Sequence, residues 1–293
     1  MSVAFLAGLL VQTLRISVPY LLAALGGLLC ERSGVINIAL EGLLLVGAFV
    51  GAVIARESTS ALFGIAGGMA AGVALAAIYG MAVIRLRADQ IVCGVAVTLL
   101  ASGLTRFFLK LIYHSASNSP RIPALGSSLP LGASALVALL LVHGLLHHTR
   151  LGLRLRTAGE HPEAARAQGI AVAPLRWQGV LASGALAGLG GVWLAFDQHQ
   201  FVAGMSAGRG YVALAAMILG GWRPFGAALG CLLFAGAEAI ELQLQSSAGG
   251  LHLLAPGTVQ AIPYIATLIA LILRPRAAAA PQALGRPLDD SQD

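Results

Sequence analysis

The chain has 293 residues, 58% of them hydrophobic and only 10% charged, with a mean hydropathy of +0.85. A soluble globular domain carries roughly 25% charged residues, so the composition excludes that class and places the chain in a membrane. Its net charge of +6 would point to nucleic acid in a soluble protein. Here it reflects Arg-rich cytoplasmic loops, and no nucleic-acid partner is expected.

A helix needs about 20 mainly apolar residues to cross a bilayer. In chain order the candidate spans are 4–30, 39–55, 61–84, 91–112, 131–148, 177–196, 210–222, 225–244 and 257–273. The expected fold is therefore all-α, a polytopic transmembrane bundle of about eight or nine spans. The first run is broken by Gln12, Thr13, Arg15 and Pro19, and no basic stretch precedes it, so no cleaved signal peptide is expected. The transmembrane domain is expected over 1–276. Arg85 and Arg87, the group Arg150, Arg154, Arg156, Arg166 and Arg176, and the pair Arg274 and Arg276 mark the cytoplasmic loops. That places 113–130 outside and the Ala-, Pro- and Asp-rich tail 277–293 inside, where it is expected to be disordered. Cys30, Cys93 and Cys231 lie in apolar segments without a C-x-x-C pair, so neither a disulfide framework nor a metal site is expected. The glycine pairs Gly47/Gly51, Gly64/Gly68, Gly68/Gly72, Gly184/Gly188 and Gly226/Gly230 suit close helix approach, chiefly inside the subunit.

Three polar stretches and a pair of glutamates interrupt this apolar background. Residues 31–42 read ERSGVINIALEG. Charges at membrane depth are costly and are paired or face a cavity. Gly34 permits a helix break, and Asn37 can cap a helix starting near Ile38. Asn37 and Glu41 are four apart and share a helix face. The alternatives are a capped turn and a broken helix lining a pathway. Residues 157–176, TAGEHPEAARAQGIAVAPLR, are a polar insert of helix-forming residues. Pro162 suits a first turn, Glu163 complements the helix dipole, Ala164, Ala165 and Ala167 keep the helix slim, and Gly169 ends it. A slim helix with a tight turn can seat in a partner's groove; a plain surface loop is the alternative. Residues 197–211, with Asp197, His199, Arg209 and Tyr211, are polar and Gly-rich between spans. Glu238 and Glu241 stand at helical spacing and are expected to be paired or exposed.

Three of these stretches carry a family resemblance. ERSGVINIALEG is very similar to a motif near the N-terminus of the nucleoside and simple-sugar branch of the ATP-binding-cassette (ABC) permeases, in a superfamily that also holds the branched-chain amino acid permeases. The similarity continues through 88–94 (ADQIVCG), 208–216 (GRGYVALAA) and 220–224 (GGWRP) to Pro263 and Tyr264. Thr98 stands where the family pattern has Asn, and Cys30 and Cys93 replace residues that are usually small or hydroxylic. The loop 150–176 resembles the cytoplasmic coupling segment of ABC importers. The resemblance implies a substrate pathway touching Asn37, Glu41, Asp89, Gln90, Arg209 and Tyr211. It implies ATPase coupling through Glu160, Glu163, Ala164, Ala165, Arg166 and Gly169. It also implies an ATPase subunit, a second permease subunit and an extracytoplasmic binding protein as partners, in a multi-pass chain of the bacterial inner membrane.

Other chemistries fit less well. Lys110 is the only lysine and lies between two leucines, so there is no P-loop. ATP would be used by the partner, and no cofactor bound by this chain is expected. Residues 204–208 match G-x-S-x-G and 208–213 imitate a dinucleotide fingerprint, but neither has the strand–turn–helix setting such motifs need. His143 and His147 are four apart but have no carboxylate or cysteine nearby in sequence. An ion-coupled transporter using Glu41 and Asp89 would leave 150–176 unexplained. Transport of nucleosides or related nucleobase compounds is the leading expectation, with a simple sugar or a branched-chain amino acid as the alternative.

Overall fold

The computed structural model describes residues 3–122, 129–246 and 280–287. Its named elements are all helical. They are α1 (Val3–Arg32), α2 (Leu40–Ser58), α3 (Ala61–Gly80, continued by a π turn at Met81–Arg85), α4 (Gln90–Tyr113), α5 (Leu129–His148), α6 (Arg150–Glu160), α7 (Pro162–Ala167), α8 (Val172–Asp197), α9 (Arg209–Leu219) and α10 (Pro224–Ser246). Five helices are long and apolar enough to cross a membrane: α1, α3 with its π turn, α4, α8 and α10. A sixth arises if α5 and α6, bent by 76° at their junction, count as one broken span.

Eight or nine spans were the expectation, and the difference has physical causes. Helix α2 has 19 residues but carries Glu41, Arg56 and Glu57. Helix α9 has 11 residues, about 16 Å at 1.5 Å per residue, roughly half of a 30 Å hydrocarbon core. The span expected at 257–273, with Pro263 and Tyr264, lies outside the described residues.

Helix α8 is the shared wall of the bundle, packing on α1, α2 and α3. The glycine pairs explain how. A Cβ on Gly47 would lie 2.5 Å from the Gly188 Cα, one on Gly184 2.5 Å from the Gly72 carbonyl oxygen, and one on Gly188 2.6 Å from the Gly68 carbonyl oxygen. Backbone touches backbone along this α2–α3–α8 seam, which only glycine allows, so these pairs serve packing within the subunit. Helix α4 is different. It buries one stripe, including Gly94, Val97, Ala101, Thr105 and Leu109, while Leu99, Phe107 and Leu111 stay exposed. Such a face suits lipid or another apolar surface.

Two non-helical segments prepare the site. After α1, Gly34 takes φ +97°, and residues 33–39 form an elbow before α2 starts. After α8, residues 198–208 run beside the loop that follows α4. Ser119 donates from its backbone N–H to the Phe201 carbonyl (2.8 Å), and Ala203 donates to the Ser117 carbonyl (2.8 Å). From the tail, 280–287 are packed rather than free. Pro281 and Ala283 are buried, and the Ala283 N–H donates to the Gly159 carbonyl at 2.9 Å.

Candidate functional site: an elbow, a half-length helix and a polar hairpin

Glu41, in the first turn of α2, is 8% exposed. Its carboxylate accepts the Gly208 N–H at 2.8 Å on one oxygen and the Gly210 N–H at 2.7 Å on the other. Those donors open α9, where the helix dipole favours an anion. Gly208 makes the approach possible with φ +83°. Gly210 lies so close that a Cβ would sit 2.5 Å from the Glu41 Cα. Glu41 therefore binds α9 rather than pointing into open space.

The elbow is held from three sides. The Gln90 side-chain oxygen accepts the Ile36 N–H at 2.8 Å, and Tyr79 donates its hydroxyl to the Ile36 carbonyl. Asn37, fully buried, donates to the Ser183 hydroxyl of α8 at 2.7 Å. It does not cap α2, which starts without a side-chain cap. Its amide oxygen has no hydrogen-bond partner among the described residues.

Arg209, beside the Glu41 clamp, donates to Glu238 of α10 at 2.9 Å and to the Met205 carbonyl at 3.2 Å. Tyr20 of α1 donates to the other Glu238 oxygen. Glu31 and Arg32 also find neighbours: Trp222 donates its indole N–H to Glu31 at 2.6 Å, and Arg32 pairs with Glu160 at 3.2 Å. Glu31, Arg32, Arg209 and Glu238 thus each meet a polar or charged group from another segment, as membrane burial demands.

Of the six pathway candidates, the structure gathers Asn37, Glu41, Gln90 and Arg209 around the elbow and the start of α9. Asp89 stands apart. It is exposed and caps α4, accepting the N–H groups of Ile91 (2.9 Å) and Val92 (2.8 Å). Tyr211 is 43% exposed. The sequence did not single out Tyr20, Tyr79 or Ser183, and it marked Trp222 only as part of the 220–224 motif, without a partner. Each is one polar group in an apolar helix or its end, and its partner lies from 43 to 218 residues away, so no local pattern marks it. Glu238, expected to be paired or exposed, is paired.

The polar hairpin is α6 and α7. Thr149 caps α6 by accepting the Gly152 N–H at 3.0 Å. Pro162 opens α7, and Gly169, at φ +73°, closes it. Glu163, Ala164 and Gly169 are exposed and Arg166 is half-buried, whereas Ala165 is buried in a small apolar cluster with Ala158, Val172 and Leu175. Glu160 turns inward to Arg32. Gly159 rests on the elbow, where a Cβ would lie 3.2 Å from the Gly34 nitrogen. The hairpin and the elbow are therefore one packed unit.

An apolar helical bundle with a half-length helix clamped at its N-terminus and a polar hairpin at one end has the composition of a membrane-embedded protein. The chain belongs to the family described as branched-chain amino acid transport system / permease component, which matches residues 9–272. It is 36% identical to the nucleoside ABC transporter permease protein NupC of Lactococcus lactis, over 92% of each chain. It is 38% identical to the guanosine ABC transporter permease protein NupQ of Bacillus subtilis, over 94% of each. A Haloferax volcanii chain provisionally named a glucose ABC transporter permease protein is 35% identical, over 91% of this chain and 86% of that one.

Proposed function

We propose that this chain is the nucleoside-translocating subunit of an ATP-driven importer in a bacterial inner membrane, and that α7 is its coupling helix. The observation that carries the substrate class is the identity to the nucleoside and guanosine permeases along nearly the whole of both chains. Orientation follows from charge. The helix ends bearing Arg32, Arg85, Arg176 and Arg223 gather at the end of the bundle that carries α6 and α7, and an Arg-rich end belongs in the cytoplasm. A separate ATPase subunit, a second permease subunit and an extracytoplasmic binding protein complete the machine. On this orientation the Tyr20–Glu238–Arg209 cluster sits about 18 Å from the Arg32 end of α1 at 1.5 Å per residue. That depth is within the hydrocarbon core.

The contacts support a mechanism built on positioning. The ATPase moves α7. Gly159 hands the motion to the elbow at Gly34, and the elbow carries Glu41, which holds the N-terminus of α9. Rocking of the elbow re-aims α9 and tests the Arg209–Glu238 pair, so that two packings exchange as ATP binds and leaves. Substrate is moved and not chemically altered.

The deciding experiment is uptake of labelled guanosine and adenosine into cells with and without the chain, with glucose, ribose and leucine as competitors. Loss of nucleoside uptake on deletion, untouched by those competitors, is expected. Persistent nucleoside uptake with loss of glucose uptake would move the substrate to the sugar class suggested by the Haloferax relative.

A further inference from the structure

Helix α5 keeps one side outward. Leu136, Val137, Leu140 and Leu141 are each more than half exposed. At 3.6 residues per turn they share one side of the helix, and such a side suits lipid tails. His147 and His148 continue the same side at the end of α5 and are exposed. An imidazole has an apolar body and a polar tip, so the pair marks where tails give way to headgroups.

The chain then turns sharply. Helix α6 leaves α5 at 76°, so with α5 upright in the bilayer α6 runs close to the membrane plane. The corner is rigid. Thr149 donates its hydroxyl to the Leu145 carbonyl at 2.6 Å and accepts the Gly152 N–H at 3.0 Å. A Cβ on Gly152 would sit 1.9 Å from the Leu145 carbonyl oxygen. Directly after the corner come Arg150, Leu151 and Arg154, all exposed and all on one side of α6 by their spacing. None of the three lines the groove between α6 and α7, which Leu153 and Thr157 line instead.

The two arginines are in no ion pair among the described residues. The acidic groups at this end of the bundle are engaged elsewhere. Glu160 holds Arg32 and the Gln282 N–H, Glu31 holds Trp222, Glu41 holds the start of α9 and Asp89 caps α4. Glu163 faces the other groove, between α7 and 280–287. Glu57, Asp197, Glu238 and Glu241 belong to the later halves of α2, α8 and α10, away from the corner. Asp289, Asp290 and Asp293 lie outside the described residues.

We propose that the α5–α6 corner binds the headgroup of an anionic phospholipid. The phosphate lies between Arg150 and Arg154, Leu151 enters the boundary of the tails, and the acyl chains follow the exposed side of α5. A helix lying in the membrane plane with basic and apolar groups side by side is built for that boundary. The lipid then pins the corner from which the α6–α7 hairpin projects. This rests on α5 crossing the bilayer, and neither on the substrate class nor on the coupling reading of α7.

The test is the melting temperature of the purified full complex in detergent, titrated with phosphatidylglycerol, phosphatidylcholine or inorganic phosphate. A ligand of the native state raises its stability, and wild type is expected to respond to phosphatidylglycerol alone. Arg150→Gln with Arg154→Gln should raise the half-saturating phosphatidylglycerol concentration roughly 30-fold, the scale for two basic groups at an anionic surface. Arg150→Lys with Arg154→Lys should stay near wild type. So should Arg85→Gln, which removes a charge off the corner, and a chain ending at residue 287, which lacks the three aspartates. Equal stabilisation by phosphatidylcholine would reduce the contact to its tails, and equal stabilisation by phosphate would make it a site for a free anion; either overturns the proposal. A Gln pair shifted no more than Arg85→Gln overturns it as well. If the Gln pair releases the ATPase subunit while its lipid response is unchanged, the corner belongs to that subunit. A response confined to the shortened chain would show the aspartates covering the arginines, and the lipid site would fall. Should the Gln pair fail to assemble, Arg154→Gln alone, compared with Arg85→Gln, decides.

Discussion

Glu41 shows how a residue can be conspicuous in a sequence while the groups it binds stay hidden. A carboxylate between apolar runs is conspicuous, and the resemblance placed it on the pathway; its two bonds to the start of α9 make it a brace. Glu41→Gln replaces one acceptor with a donor that faces a backbone N–H. It should cost about 1.5–3 kcal/mol, the range for a hydrogen bond to a charged group. The expected result is a chain that inserts and assembles but transports poorly, read by uptake against the amount of complex recovered. Gly208→Ala should cost roughly 1–2 kcal/mol through its left-handed backbone and lower the melting temperature of the complex. The Arg209–Glu238 pair invites a double-mutant cycle. Arg209→Leu alone strands a carboxylate inside the bundle, whereas Arg209→Leu with Glu238→Leu removes both charges. The double variant should be the more stable of the two in thermal melts. If it were the less stable, Glu238 would be supported mainly by Tyr20.

The long apolar helices were legible as elements because hydropathy writes them directly into the chain; α1, α3, α4, α8 and α10 sit where the apolar runs place them. The hairpin was legible too, since Pro162, Glu163 and Gly169 are local signals for a helix start and stop. What could not be read was which elements meet. Helix α9 looks like a shortened span in sequence, and only its clamp to α2 shows that it begins partway along the bundle. The glycine pairs announced close packing without naming partners, which proved to be α2, α3 and α8 together for four of the pairs and α9 with its C-terminal end for Gly226/Gly230. Gly188→Leu should therefore break the bundle itself, by about 1–3 kcal/mol or more for overpacking against backbone. Aggregation on detergent extraction is the expected readout. A well-folded variant that had lost only its association with a second permease subunit would place this seam at a subunit interface instead.

For the whole molecule the orientation is open to a direct test. In a background where Cys93 is Ser, a cysteine at Glu163 should react with a membrane-impermeant thiol reagent only after the cells are opened. A cysteine at Asn118 should react in intact cells. The reverse pattern would turn the chain over and remove α7 from the cytoplasm. One further consequence follows from α8 as the common wall. Gly68 and Gly72 await Gly184 and Gly188, which are made more than a hundred residues later. At synthesis rates of about 5–20 residues per second, α2 and α3 spend roughly 5–20 s in the bilayer with their glycine grooves unfilled. The first half of this chain thus depends, during its birth, on lipid or an insertion chaperone to occupy a surface that its own eighth helix later claims.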